Sequence, residues 1–196
     1  MFVPGIMAML LMLISALMTS LSITREKELG TMELLLVSPL RPIQIITGKV
    51  IPYVLLAFID SCIILGMGKF VFGVPIEGNV ILLLAESLLY ITMALSLGIL
   101  ISSITSSQQI AMTVSLVALM LPTILLSGFI FPVENMPVIL QVLCHLMPPK
   151  YFITIIKDIM LKGNGIIYVW KETLILVLFT VAFIMMSIKK FKIRLA

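Results

Sequence analysis

Few side chains in this sequence could do chemistry, and they are widely scattered. Two carboxylates, Asp60 and Glu86, stand inside otherwise apolar runs. A charge at membrane depth is expensive, so such a group faces a bundle interior or a wet cavity. Two roles follow for Asp60 and Glu86. They could line a path for a cationic or amphipathic cargo, or pack between helices, protonated or hydrogen-bonded to Ser61, Ser87 or Tyr90. His145 is the single histidine and has no partner at metal-ligand or catalytic spacing. Cys62 and Cys144 lie far apart without CxxC spacing and read as separate thiols. Met7, Met9, Met12 and Met18 scatter around a helix, which suits adaptable packing better than a soft-metal site. No metal site is expected. HExxH, paired carboxylates with histidine, and Ser/Lys or Ser/His sets do not stand out, so the chain is not expected to be an enzyme by itself. No G-x-x-x-x-G-K-[ST] phosphate loop occurs, and "GMGKF" at 66–70 has the wrong spacing. A basic stripe interleaved with aromatics is missing too, so no nucleic-acid partner is expected.

Charge is densest at Arg25, Glu26, Lys27 and Glu28. Gly30 and Thr31 then offer a break and a new N-cap, and Glu33 suits the first turn of the following "MELLLV" through the helix dipole. Ser38-Pro39 and Arg41-Pro42 stop regular structure. One or two short surface helices are expected, with Leu29, Met32, Leu35 and Leu36 against lipid or the bundle. These features leave two roles open: a loop whose charges fix topology, or an element that docks a soluble partner.

The elements that carry these residues follow from composition. Of 196 residues, 61% are hydrophobic and 11% charged, and the mean hydropathy is +1.26, which places the chain among integral membrane proteins. A helical span needs about 20 apolar residues. Five runs qualify, over 2–23, 50–72, 80–101, 110–131 and 173–188, with a kink expected at Pro122. The fold class is therefore all-α, a single transmembrane domain with about five spans. The connection 24–49 carries the charged run. The connection 132–172 is cut by Pro132, Pro137, Pro148, Pro149 and "GNG" at 163–165. Within it, "PKYFITIIKDIMLKG" is amphipathic, with Phe152, Ile155, Ile156 and Ile159 on one face. It should lie at the interface or form a re-entrant pair with the segment near Val138–Leu146. Ala94, Gly98 and Ser102 form a small-residue ridge, to be packed either within the subunit or across a dimer.

Orientation follows from Lys and Arg. Eight lie in the first connection and the tail (Arg25, Lys27, Arg41, Lys49, Lys189, Lys190, Lys192, Arg194), against five elsewhere. That predicts a cytoplasmic first loop and tail. The N-terminus then falls outside, which leads us to expect a further span upstream.

Three stretches carry a family resemblance: "REKELGTMELLLVSPLRP", "ISSITSSQQIAMTVSLVALMLPTILLSGFIFPVENMP" and "PPKYFITIIKDIMLKG", followed by the basic tail "KKFKIRLA". Together they resemble ABC transporter permeases of the type-2 export class, in its C-terminal portion, with the first span and external domain missing. The resemblance implies a subunit of an ATP-driven exporter in the bacterial inner membrane. It implies two paired permeases, equal or different, on ATPase subunits that use ATP and Mg²⁺, while the permease binds no cofactor directly. It implies that Arg25–Leu36, with Arg25, Glu26, Lys27, Glu28, Gly30, Thr31, Glu33 and Leu35, forms an amphipathic cytoplasmic coupling helix docked in the ATPase. It further implies that short re-entrant helices before the last span form an external gate, in which we place Pro132, Glu134, Tyr151 and Lys157. A secondary transporter or channel driven through Asp60 or Glu86, and an inactive permease fragment, are the alternatives.

Overall fold

The structure is a computed structural model that describes residues 2–31, 42–128 and 136–193. Every regular element among them is helical: α1 (Phe2–Glu28), α2 (Pro42–Phe70), α3 (Val80–Ile104), α4 (Gln108–Ser115), α5 (Leu121–Leu126), α6 (Val138–His145), α7 (Pro148–Lys162) and α8 (Ile166–Ile193). Five stretches are long and apolar enough to cross a membrane: Val3–Glu28, Thr47–Phe70, Val80–Ile104, Gln108–Leu126 and Ile166–Ser187. Lipid offers no partner to a free backbone N–H or C=O, so runs of this composition close their own hydrogen bonds as helices.

Local chemistry sets the ends. Asn79 Oδ1 accepts the Ile81 N–H at 2.9 Å and starts α3. Ser107 Oγ accepts the Ile110 N–H at 3.3 Å and starts α4. Gly30 (φ 71°) and Gly163 (φ 66°) turn left-handed and stop α1 and α7, a conformation that glycine adopts without strain. Several helices run further than the apolar runs alone suggest, α1 among them, which continues through the charged run to Glu28. α2 begins at Pro42, which suits a first helical turn because its missing N–H would be unpaired there. α8 begins at Ile166, directly after "GNG", and carries Lys171 and Glu172 within it. At Pro122, where a kink was expected, the chain forms a wider π-helical turn, Leu116–Met120, between α4 and α5. Such a turn rearranges the backbone bonds that proline would otherwise break.

α1 and α3 form the centre, and half of each apolar stretch is buried. α2 and α4 flank α1, while α8 lies along α3. The small-residue ridge packs inside the chain. Ala94, Gly98 and Ser102 are all buried, and Gly98 faces the α1 backbone so closely that a Cβ there would stand 2.6 Å from the Ala16 carbonyl oxygen. α6 and α7 meet at 80°. The apolar face of α7 turns inward, with Phe152, Ile155, Ile156 and Ile159 fully buried. Phe152 stacks on Tyr90 of α3 (centroids 3.9 Å apart, planes 6° apart), and Tyr90 Oη donates to the Ala8 carbonyl at 3.1 Å.

Two distinct ends result. The Glu77 N–H donates to the Met160 carbonyl at 3.1 Å, and Gly78 lies against the Ile159 carbonyl, so the α2–α3 connection and α7 share one end. The last turn of α1, the start of α2, the end of α3 and the start of α4 share the other.

Gly98→Ala should therefore force α1 and α3 apart and lower stability by about 1–3 kcal/mol, the usual range for overpacking. Gly66→Ala, at a glycine with nothing within 4 Å of the added carbon, should be near neutral. Thermal unfolding in detergent distinguishes them, and equal melting temperatures would contradict the close approach.

Candidate functional site

The charged run belongs to the last turn of α1 rather than to a separate surface helix. Successive helical residues point about 100° apart, so Glu26, Lys27 and Glu28 fan out to three different neighbours. Glu26 pairs with Lys49 of α2. Lys27 Nζ donates to the Ser102 carbonyl near the end of α3. Glu28 Oε2 accepts both the backbone N–H and the side-chain Nε2 of Gln108, each at 3.0 Å, at the first residue of α4. A carboxylate there satisfies a free N–H of the first turn and sits favourably at the positive end of the helix dipole. The Thr31 hydroxyl donates to the Glu26 carbonyl at 3.3 Å. Arg25, Leu29, Gly30 and Thr31 are exposed. Glu33 and Leu35 lie outside the described residues.

Below this junction runs a seam of buried hydroxyls on α1: Ser15, Thr19, Ser20 and Thr24. Ser20 bonds Ser115 of α4 at 3.1 Å, and Thr24 bonds Thr105 at 3.2 Å. Hydroxyls supply short interhelical hydrogen bonds where no water competes. Sequence reading missed this seam, in which Ser15 with Thr19 and Ser20 with Thr24 form two i,i+4 pairs spread over about half of the helix circumference. It also missed the pairing of Lys49, which read only as a topology charge, and the roles of Gln108 and Thr105, because the polar "SSITSSQQ" connection shows no charge to match until the fold brings it beside α1.

The two membrane carboxylates stand in different settings. Glu86 is 4% exposed, and its Oε1 accepts the Thr173 hydroxyl of α8 at 2.8 Å. Its partner is thus a residue of the last helix, not Ser61, Ser87 or Tyr90. The same Thr173 hydroxyl lies 3.0 Å from the Val169 carbonyl, and Glu86 Oε2 has no hydrogen-bond partner. Asp60 is half-buried on α2 and makes no hydrogen bond or ion pair among the described residues. The structure does not bring these two acids together through any shared contact.

At the α7 end, Tyr151 Oη donates to the His145 carbonyl at 2.8 Å, and its ring lies 6.2 Å from that of Phe179 on α8. Lys157 is half-buried on α7, and Asp158 pairs with Lys162 at 2.5 Å. Pro132 and Glu134 lie outside the described residues. Among the described residues, no group of three or more His, Cys, Asp or Glu could hold a metal, and both cysteines are free thiols.

An all-helical, multi-pass membrane domain with a knitted charged junction at one end is the class these features define. The sequence matches the family described as "ABC-2 family transporter protein" over residues 1–189, and the chain belongs to that family. It is 35% identical over 193 residues to "Probable multidrug ABC transporter permease YbhS" of Escherichia coli (strain K12), covering 98% of this chain and 51% of that protein. It is 39% identical over 170 residues to "Probable multidrug ABC transporter permease YbhR" of the same strain, covering 87% of this chain and 46% of that one. With "Inner membrane transport permease YhhJ" of that strain it shares 33% identity over 192 residues, covering 96% of this chain and 51% of the relative. The chain thus spans about half the length of these curated relatives. No solved structure matches it significantly.

Placing a fixed charge of the wrong sign at Glu86 tests its packing. Glu86→Gln should stay within about 1 kcal/mol of the parent, since an amide oxygen still accepts from Thr173. Glu86→Lys should lose about 2.5–3.5 kcal/mol, the scale for an unpaired cation at membrane depth. Thermal unfolding of the purified variants would contradict the buried setting if both behaved alike.

Proposed function

We propose that the chain is the membrane-spanning permease subunit of an ATP-driven exporter. It forms the translocation path and takes its drive from a separate ATPase subunit, which holds ATP and Mg²⁺ and performs the hydrolysis. The observation that supports this reading is the junction itself. In a member of this family, the connection that carries the densest charge leaves a point where four helices are tied together, with Arg25, Leu29 and Thr31 facing outward. In this reading Arg25–Leu36, with Glu33 and Leu35, meets the ATPase, while Glu26, Lys27 and Glu28 brace the contact from behind.

Two permease subunits pair in the bacterial inner membrane, with the first loop and tail cytoplasmic. The exposed apolar faces of α2, α5 and α8 meet lipid or the second subunit. Asp60 on α2 contributes to the path, while Glu86 is a packing carboxyl held by Thr173 of α8. Tyr151 and Lys157, with Pro132 and Glu134, belong to the outer gate. The relatives' multidrug names favour amphipathic small molecules as cargo.

Co-purification with the ATPase subunit tests the docking surface. A variant combining Arg25→Glu and Leu29→Asp changes two outward side chains without touching the ion pair, and should recover several-fold less ATPase. Equal recovery would count heavily against docking here. Asp60→Asn should lower export at unchanged protein level; unchanged export would remove Asp60 from the path.

A further inference from the structure

The positive-inside effect depends on Lys and Arg, while Asp and Glu contribute little to it. Topology therefore leaves Glu26 and Glu28 unexplained, and the structure gives each a specific partner. The pair Glu26–Lys49 has a particular place: Glu26 lies in the last turn of α1, just before the connection 29–41, and Lys49 lies about two turns into α2, after it. Their ion pair closes the base of that connection. Both side chains are largely shielded, at 27% and 19% exposure, so solvent and salt screen the pair less than a surface pair. Next to it, Lys27 and Glu28 fasten the same turn of α1 to α3 and α4. Further along, Gly98 holds α1 and α3 in backbone contact.

Resting on the permease reading above, we infer that Glu26 and Lys49 are positioning residues that staple the base of the coupling connection. A displacement of the connection then moves α1 and α2 together and carries α3 and α4 with them. Without the staple the two helix ends can part, and the displacement is spent in spreading them. The pair thus acts through the helices and touches neither ATP nor cargo.

Pulsed EPR distances read the staple directly. Labels at Leu29→Cys and Ile51→Cys, both exposed positions, are placed on the full chain alone in lipid nanodiscs, with Cys62→Ser and Cys144→Ser as background, while transport is read on unlabelled chains that keep Leu29. The parent should give a narrow distribution. Glu26→Lys and Lys49→Glu should each broaden and lengthen it, and the double reversal should restore it. In inside-out vesicles, ATP-driven uptake of the cationic dye ethidium should fall several-fold in each single reversal, with ATP hydrolysis largely kept, and recover in the double reversal. Glu26→Gln replaces Glu26→Lys if the reversal fails to insert. Unchanged distances in the single variants, or a folded double variant that stays broad, overturn the staple. A parent complex that shows no ATP-driven dye uptake counts against the exporter reading instead, because the distances on the chain alone need no ATPase.

Discussion

α1 and α3 touch backbone to backbone at Gly98, and the rest of the bundle is arranged around that approach. A side chain at this position would meet the Ala16 carbonyl. In lipid the hydrophobic effect does not drive helices together, so close packing and interhelical hydrogen bonds must hold them. The close approach brings the hydroxyls of α1 within bonding range of α3 and α4, as Ser20–Ser115 and Thr24–Thr105 show. It also sets the end of α1 beside the ends of α2, α3 and α4, where the charged run finds its partners.

The two ends of the bundle are built differently. The junction end is polar and uses full charges, with Glu26, Lys27 and Glu28 each spent on a different helix. The other end is closed mainly by apolar contacts: the buried face of α7, the Tyr90–Phe152 stack and backbone contacts from the loop before α3. Charged contacts have fixed partners and distances, whereas apolar contacts can re-form in shifted registers.

Much was legible in the sequence. Five apolar runs separated by Gly, Pro and charge imply five helices, because backbone groups in lipid have no alternative to helical hydrogen bonds. The amphipathic pattern of 150–162 identified the face of α7 that is buried. The stop at Gly163 was readable because only glycine takes a left-handed end without strain. Helix ends were less legible. Pro42 and Ile166 extend α2 and α8 into polar sequence, since a helix need not stop where the apolar run does. The wide turn before Pro122 depends on how the neighbouring backbone rearranges, which no local rule fixes.

What the sequence by itself determined is the class of solution: an all-helical membrane domain, a dense charged run after the first span, two isolated acids and a small-residue ridge. Composition and spacing suffice for that because lipid restricts the backbone so severely. Only the tertiary structure decided which groups meet. It placed the ridge of α3 against α1 within one chain, gave Glu86 to Thr173 across to the last helix, and turned Glu26, Lys27 and Glu28 toward three separate partners. Those pairings lie 23 to 87 residues apart in the chain, and separations of that size are set by how helices pack, not by anything adjacent residues can encode.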